Sequence, residues 1–355
     1  MKLNIFTQIL GVLILSLLVG RLSAQDDLKL SERILSVGPE NIFNTEGYFN
    51  WCGSIVKGED GKYHLFYSRW PKSSKFTGWL VYSEVAHAIA DSLVGPWEYK
   101  ETVLKGRGKG HWDAITAHNP KIRFYEGKYY LYYISTNLGE DMDYSEEDLL
   151  ETSHTGYQHP IWKILRPNQR TGVAVAESLD GPWVRQDGPL IEPSGPITTL
   201  TVNPAITQGK DGRYYLIVKG DKPNATGFVR NQAMAISERP DGDFVIQPKP
   251  VIDYLDTEDM SLWYDESRGY YYGIFHSTEH FIGLVSSPDG INWSKATEFK
   301  LMDKVIPMQD GSVLKPQRLE RPFVYEENGV VQMIGFAIKD GEESYVVCLP
   351  LKPEN

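Results

Sequence analysis

Asn119-Pro120-Lys121-Ile122, then Gly127-Lys128-Tyr129-Tyr130-Leu131-Tyr132-Tyr133, is a short apolar strand, a glycine turn and a strand of aromatic and aliphatic residues. Aromatic side chains suit a pleated surface and glycine permits the tight turn, so the segment predicts a β-hairpin. The pattern recurs along the chain. It appears as Cys52-Gly53-Ser54-Ile55-Val56 with Gly61 to Tyr67, as Asn203-Pro204-Ala205-Ile206 with Gly212 to Ile217, as Met260-Ser261-Leu262-Trp263 with Gly269 to Phe275, and as Arg321-Pro322-Phe323-Val324 with Gly329 to Ile334.

A second hairpin follows four of these copies. Its tips are Ser92-Leu93-Val94-Gly95-Pro96-Trp97, Ser178-Leu179-Asp180-Gly181-Pro182-Trp183, Pro240-Asp241-Gly242-Asp243-Phe244 and Ser287-Pro288-Asp289-Gly290-Ile291-Asn292-Trp293. Glycine and proline make these turns and tryptophan covers the blade edge, so the tips are read as structural. Two hairpins per unit build a four-stranded antiparallel sheet that cannot bury both faces alone. Radial stacking solves this, and the chain is expected to be all-β, a five-bladed β-propeller of four-stranded antiparallel blades. Five units in the 355 residues, less the first 24, leave about 66 residues each.

The composition agrees, with 21 Tyr, 9 Trp and 32 Gly favouring strands and turns. Lys and Arg number 36 against 47 Asp and Glu, a net charge of −11 that argues against a nucleic-acid or anionic-membrane partner. Residues 1–24 carry Lys2, an apolar stretch from Ile9 to Val19 and the small-residue exit Leu22-Ser23-Ala24, a signal peptide in form. Residues 25–355 form the expected single domain of an exported protein, periplasmic or secreted, with no membrane attachment after cleavage. Cys52 and Cys348 could pair in an oxidising compartment or stay as buried thiols. Two cysteines are too few for structural zinc, and no metal site or cofactor is expected.

In a propeller blade the innermost strand starts at one end of the channel and the second strand returns there. Residues at those positions therefore converge on one mouth. Strand starts select Trp51, Asp113, His118 with Asn119, Asn203, Glu258 with Asp259, and Glu320 with Arg321. Strand ends select Arg69-Trp70, Lys219 and His276. Asp113, Glu258, Asp259 and Glu320 bring carboxylates from three blades to one opening, the groups needed to protonate a leaving oxygen and to act across the sugar in glycoside hydrolysis. His276 is a further candidate for proton transfer. Trp51 and Trp70 suit stacking on a sugar face. His118, Asn119 and Asn203 offer polar contacts, and Arg69, Lys219 and Arg321 suit a carbohydrate that bears a carboxylate or sulfate. Each acid could instead cap a strand or neutralise a nearby arginine.

An insertion at about 138–170 falls on the mouth side of the second blade. It carries a run of acids from Glu140 to Asp148, then His154, Tyr157, His159 and Trp162. A loop of this length is read as a lid over the pocket. Its acids and histidines could hold a structural Ca²⁺, although EF-hand spacing is lacking.

The Asn119-Pro120, Asn203-Pro204 and Arg321-Pro322 strand starts, the tyrosine-rich hairpins and the Ser-Leu-x-Gly-Pro-Trp tips resemble the five-bladed glycoside hydrolases of families 43, 32, 62 and 117. The resemblance implies hydrolysis of O-glycosyl bonds, here of a terminal sugar on a plant or algal polysaccharide. Family 43 places its base, its pKa-tuning acid and its proton donor where this chain has Asn50-Trp51-Cys52, Asn119, and Thr201 or Asn203. None of these is acidic, so the catalytic triad has departed. Family 117 resemblance implies that a histidine can be the acid, His276 or His118. A propeller that binds glycans without cutting them is the alternative, as is a phosphate-dependent phosphorylase similar to family 130, with Arg69, Lys219 and Arg321 as its anion site. A closed propeller hides its strand edges, so a monomer is expected.

Overall fold

The computed structural model of the protein describes residues 28–139 and 143–354, so the segment read as a signal peptide lies outside the described residues. Five four-stranded antiparallel sheets follow one another. Blade 1 is Tyr48–Lys57, Tyr63–Pro71, Glu84–Ala90 and Glu98–Leu104; blade 2 is His118–Tyr125, Lys128–Ser135, Arg170–Ala176 and Val184–Arg185. Blade 3 is Thr198–Gln208, Tyr214–Asp221, Arg230–Ser237 and Val245–Ile252; blade 4 is Thr257–Asp265, Tyr270–Ser277, Phe281–Ser287 and Ser294–Asp303. Blade 5 takes three strands from the C-terminal end, Arg318–Glu327, Val330–Asp340 and Glu343–Pro350, and its outermost strand, Ile42–Phe43, from the N-terminal side. Ile42 pairs with Val347 and Phe43 with Val346, which closes the ring.

The tyrosine-rich hairpin shows why a ring forms. Tyr125 and Lys128 pair across a two-residue turn in which Glu126 and Gly127 both have positive φ, at 52° and 77°, the backbone sense that matches strand twist. Along Lys128–Ser135 successive side chains face opposite sides of the sheet. Tyr130 and Tyr132 pack with Ile206, Tyr214 and Leu216 of blade 3, while Tyr129, Leu131 and Tyr133 pack with Phe66 and Val85 of blade 1. Both faces are apolar because both are covered. The core is accordingly five interblade layers, with the remaining three between blades 3 and 4, 4 and 5, and 5 and 1. Cys52 and Cys348 are buried free thiols in different blades.

One irregularity repeats in every blade. The register between the innermost and second strands shifts between Trp51 and Ser54, His118 and Lys121, Val202 and Ala205, Glu258 and Ser261, and Glu320 and Phe323. Within each gap one non-glycine residue takes a left-handed backbone: Cys52, Asn119, Asn203, Asp259 and Arg321, with φ from 51° to 60°. These are β-bulges, and they re-aim side chains. Pro120, Pro204 and Pro322 follow three of them, where the lost ladder bond makes a missing N–H harmless.

Candidate functional site

The five bulges build the site in two layers. The residues just before them, Trp51, His118, Val202, Glu258 and Glu320, line a cavity of about 590 Å³ at one mouth of the ring. The bulge residues themselves line the narrow channel beneath it. There Asn119 Nδ2 donates to Asn203 Oδ1 at 2.8 Å, Asn203 Nδ2 donates to Asp259 Oδ1 at 2.5 Å, and Arg321 Nη1 donates to the same Asp259 oxygen. His276 Nδ1 stands 3.0 Å from Asp259 Oδ2.

The cavity has two unlike halves. Trp51, Trp70, Phe76 and Trp79 come from blade 1, and Tyr157 and Trp162 from the insertion. Trp79 Nε1 donates to Tyr157 Oη at 3.3 Å, and the Tyr157 and Trp162 rings meet at 5.1 Å. The opposite half is ionic, with Arg166, Lys219, Arg230, Arg318 and Arg321 against Asp221, Glu258 and Glu320. Arg166 clamps Asp221 with bonds of 2.7 and 2.6 Å. Glu258 pairs with Lys219 and, at 2.9 Å, with Arg230. Among the described residues neither the Glu320 carboxylate nor the Arg318 guanidinium has a hydrogen bond or ion pair, and Arg318 lies 5.5 Å over the Phe76 ring.

Burial alone would raise Glu258, but Lys219, with help from His276 and Arg230, pulls it from 4.5 to about 2. The same contest holds Asp259 far below its ordinary value, because Arg321 and His276 outweigh burial. His118 moves the other way for a histidine cation: burial, then the Arg321 charge, push it well below 6.5 and keep the ring neutral. Its Nδ1 is tied to Ser83 Oγ at 2.7 Å and its ring stacks on Trp79 at 5.1 Å, which leaves Nε2 available.

Trp51, Trp70, His118, Lys219, Glu258, Glu320 and Arg321 thus meet at the cavity as expected from their strand positions. Asn119, Asn203, Asp259 and His276 lie one layer below, inside the hydrogen-bonded ring. Two residues go elsewhere. Asp113 is fully buried in the connection before blade 2, where Arg107 Nε at 2.5 Å, Tyr133 Oη at 2.7 Å and Arg185 Nη1 at 3.1 Å consume its carboxylate. Arg69 sits on the other face of its strand from Trp70, as adjacent strand residues must, and bonds Glu84 at 2.7 Å and both Tyr99 and Thr102 at 2.8 Å. Arg318 and Arg230 were missed. Arg318 is two residues before Glu320 on the same strand face, and Arg230 pairs with Asp221 in the ladder, so period-two counting reaches both.

The insertion folds as a helix, Glu146–Thr155, and a shorter helical turn, Trp162–Leu165. Of its acids, Asp148 forms a capping box with Ser145 and Asp143 pairs with Lys109, while Glu140 and Asp141 lie outside the described residues. Among the described residues no three ligand atoms of the insertion converge, whereas Asp259, His276 and Glu320 bring theirs within 4.8 Å of one another and could hold a cation below the cavity.

No protein-family model matches the chain, and no curated protein does either. The fold is that of five-bladed propeller glycoside hydrolases. A family 117 glycoside hydrolase of the marine bacterium Zobellia galactanivorans superposes with a TM-score of 0.62 at 16% identity, over 92% of this chain and 91% of that one. The BT0996 RGII complex gives 0.64 at 15%, over 93% and 95%. A thermostable family 43 glycoside hydrolase gives 0.55 at 15%, over 87% and 94%.

Proposed function

We propose that the protein is an exported glycoside hydrolase that removes a terminal sugar from a plant or algal polysaccharide or oligosaccharide by general acid/base catalysis. One observation carries the reading. Glu258 and Glu320 occupy the same strand position on blades 4 and 5, and His118 occupies it on blade 2, which lies across a five-membered ring from both. Inverting hydrolysis of a glycoside needs proton transfer on opposite sides of the anomeric carbon.

The pKa directions of Glu258 and His118, and the unpaired carboxylate of Glu320, divide the roles. Glu258, at about 2, is a poor proton acceptor near neutrality but a permanent anion for an oxocarbenium-like transition state. Glu320, whose carboxyl has no competing partner, is the proton donor to the leaving oxygen. Neutral His118 is the acceptor for the attacking water through Nε2, in the tautomer in which Nδ1 donates to Ser83 Oγ. Of the aromatic half, Trp79, Tyr157 and Trp162 are reached by solvent and stack on the sugar, whereas Trp51 and Trp70, expected to do so, are buried, and Arg318 is placed for a carboxylate or sulfate. The glycoside hydrolases that share the fold, and the RGII complex among them, support a carbohydrate substrate. No helix among the described residues is long and apolar enough to cross a membrane.

The test is time-resolved NMR of the purified protein, without phosphate, on plant and algal oligosaccharides that include acidic and sulfated ones. A released monosaccharide is expected. Glu320→Gln should lower kcat by roughly 10²- to 10⁴-fold with KM little changed, since it removes proton transfer and not stacking. The family 43 resemblance implies acids where this chain has Asn50-Trp51-Cys52, Asn119, and Thr201 or Asn203, which favours a glycan-binding propeller as the second reading. Line broadening of a glycan without turnover would establish it, and turnover only with added phosphate would make the protein a phosphorylase.

A further inference from the structure

A separate cluster lies between blades 1 and 2, and none of its residues touches the cavity. His64 and His87 are both buried and linked in a relay, with Asp60 Oδ1 at 3.1 Å from His64 Nε2, and His64 Nδ1 at 2.8 Å from His87 Nε2. A carboxylate only accepts, so His64 Nε2 is the donor. With one proton on each ring, His64 Nδ1 accepts from His87 Nε2. His87 Nδ1 is then a bare lone pair. Among the described residues that nitrogen has no hydrogen-bond partner, although His87 is fully buried.

What the lone pair meets is negative charge. Glu101 Oε1 is 3.7 Å away, and ligand atoms of His87, Glu101 and Asp180 lie within 4.8 Å of one another. Such an arrangement is repulsive unless a cation stands among the three. The ring is not free to turn away, because Phe66 stacks on it at 4.6 Å and 10° and a half-turn in that plane would break the bond to His64. Glu101 faces His87 across the blade 1 ladder, and Asp180 comes from the Ser178 to Trp183 tip of blade 2. Asp60, Glu101 and Asp180 supply three negative charges, and Lys100, ion-paired with Asp180 Oδ1, returns one. The balance is that of a divalent ion.

We propose that His87, Glu101 and Asp180 form a binding site for a divalent transition-metal ion of the zinc type, which fastens the blade 2 tip to blade 1. One imidazole nitrogen with two carboxylates suits such an ion, whereas calcium and magnesium favour all-oxygen shells. Asp60 and His64 are the outer partners that fix the tautomer of the ligating histidine. The Asp-Gly-Pro-Trp tip of blade 2 thereby gains a role that its turn geometry alone does not supply.

The test uses the full chain, stripped with a chelator and titrated with Zn²⁺ alone, followed by calorimetry and by melting temperature. One equivalent is expected to bind and to raise the melting temperature. Glu101→Gln and Asp180→Asn, at partly exposed and exposed positions, should each weaken binding at least tenfold while the far-ultraviolet circular dichroism stays that of the parent, and Asp60→Asn should weaken it 10- to 100-fold. Glu320→Gln, which alters the other cluster of possible ligands, should leave the equivalent in place. Failure of the parent to bind zinc overturns the proposal. So does binding that survives Glu101→Gln and Asp180→Asn, binding lost in Glu320→Gln, or saturation by Ca²⁺ in preference to Zn²⁺.

Discussion

Asp113 and Glu320 are both acids near inner-strand starts, yet their surroundings give them opposite uses. Asp113 is surrounded by two guanidiniums and a phenol, and its charge is consumed in holding a connection together. Glu320 is half-buried beside a cavity with no such partner among the described residues. The basic side of this contrast is Lys121, buried in the channel without a hydrogen-bond or ion-pair partner among the described residues. Burial, then the like charge of Arg123, lowers it from 10.5 to about 8. Below pH 8 both folded and unfolded chains carry the proton, so the folded state bears the full cost of the buried ammonium, roughly 3 kcal/mol. Between about 8 and 10.5 the folded chain releases the proton first and stability rises with pH. Lys121→Met should therefore stabilise the protein at pH 7, by up to about 3 kcal/mol, with the gain fading towards pH 10.5. Denaturant melts at pH 7 and pH 10 would show this, and a gain that does not change with pH would remove burial of charge as its cause.

At the scale of the element, what the sequence shows is what is local. Each hairpin is visible because its turn glycine and its aromatic strand lie within about ten residues of each other. The mouth positions are visible because strand direction alternates predictably, and Trp51, His118, Glu258 and Glu320 follow from it. Arg69 does not, because the choice between adjacent residues depends on facing, and Asp113 does not, because its partners Tyr133 and Arg185 lie in other segments. The bulges are visible only as Asn-Pro or Arg-Pro pairs, and their left-handed backbones depend on the ring that they line. The insertion packs its Leu149, Ile161 and Leu165 on Leu80 and Val81, in a cluster apart from the interblade layers. Gly156 ends its first helix with φ 65° and ψ −136°, close to a region reserved for glycine, and a Cβ there would meet Thr77 Cγ2 at 2.7 Å. Thr77 cannot yield freely, because its Oγ1 donates to Ser153 O at 2.6 Å. Gly156→Val should loosen the insertion at a local cost of about 1 to 3 kcal/mol. Trypsin should then cut faster at Lys163, while the propeller's melting temperature moves by only about 2 °C. A loss of melting temperature as large as that of a core variant would show that the insertion supports the blades.

Among the described residues there is no central apolar core, and stability is distributed over five layers that hold only if the ring is closed. Closure rests on a short N-terminal strand. Ile42 and Phe43 complete blade 5, Leu35 N donates to Pro350 O at 3.0 Å, and Arg33 Nη2 donates to Val331 O at 2.7 Å. Phe43 also reaches the neighbouring blade, with its ring edge-on to Tyr67 at 4.9 Å and 88° inside the layer between blades 5 and 1. It is 3% exposed, so Phe43→Ala removes a buried aromatic and leaves a gap at the seam, at a cost of about 3 to 5 kcal/mol. Val245, on the outer strand of blade 3, is 65% exposed, and Val245→Ala should change stability by no more than about 0.5 kcal/mol. If closure holds the ring, Phe43→Ala should lower the melting temperature of all five blades together, read by tryptophan fluorescence and circular dichroism in one coincident transition. Removal of residues 28–43 should go further and separate the two signals, because blade 5 then loses its outer strand and blade 1 its neighbour. A truncated chain that still melts in one coincident step near the parent temperature would mean that the other four layers close the ring without help from the N-terminal strand.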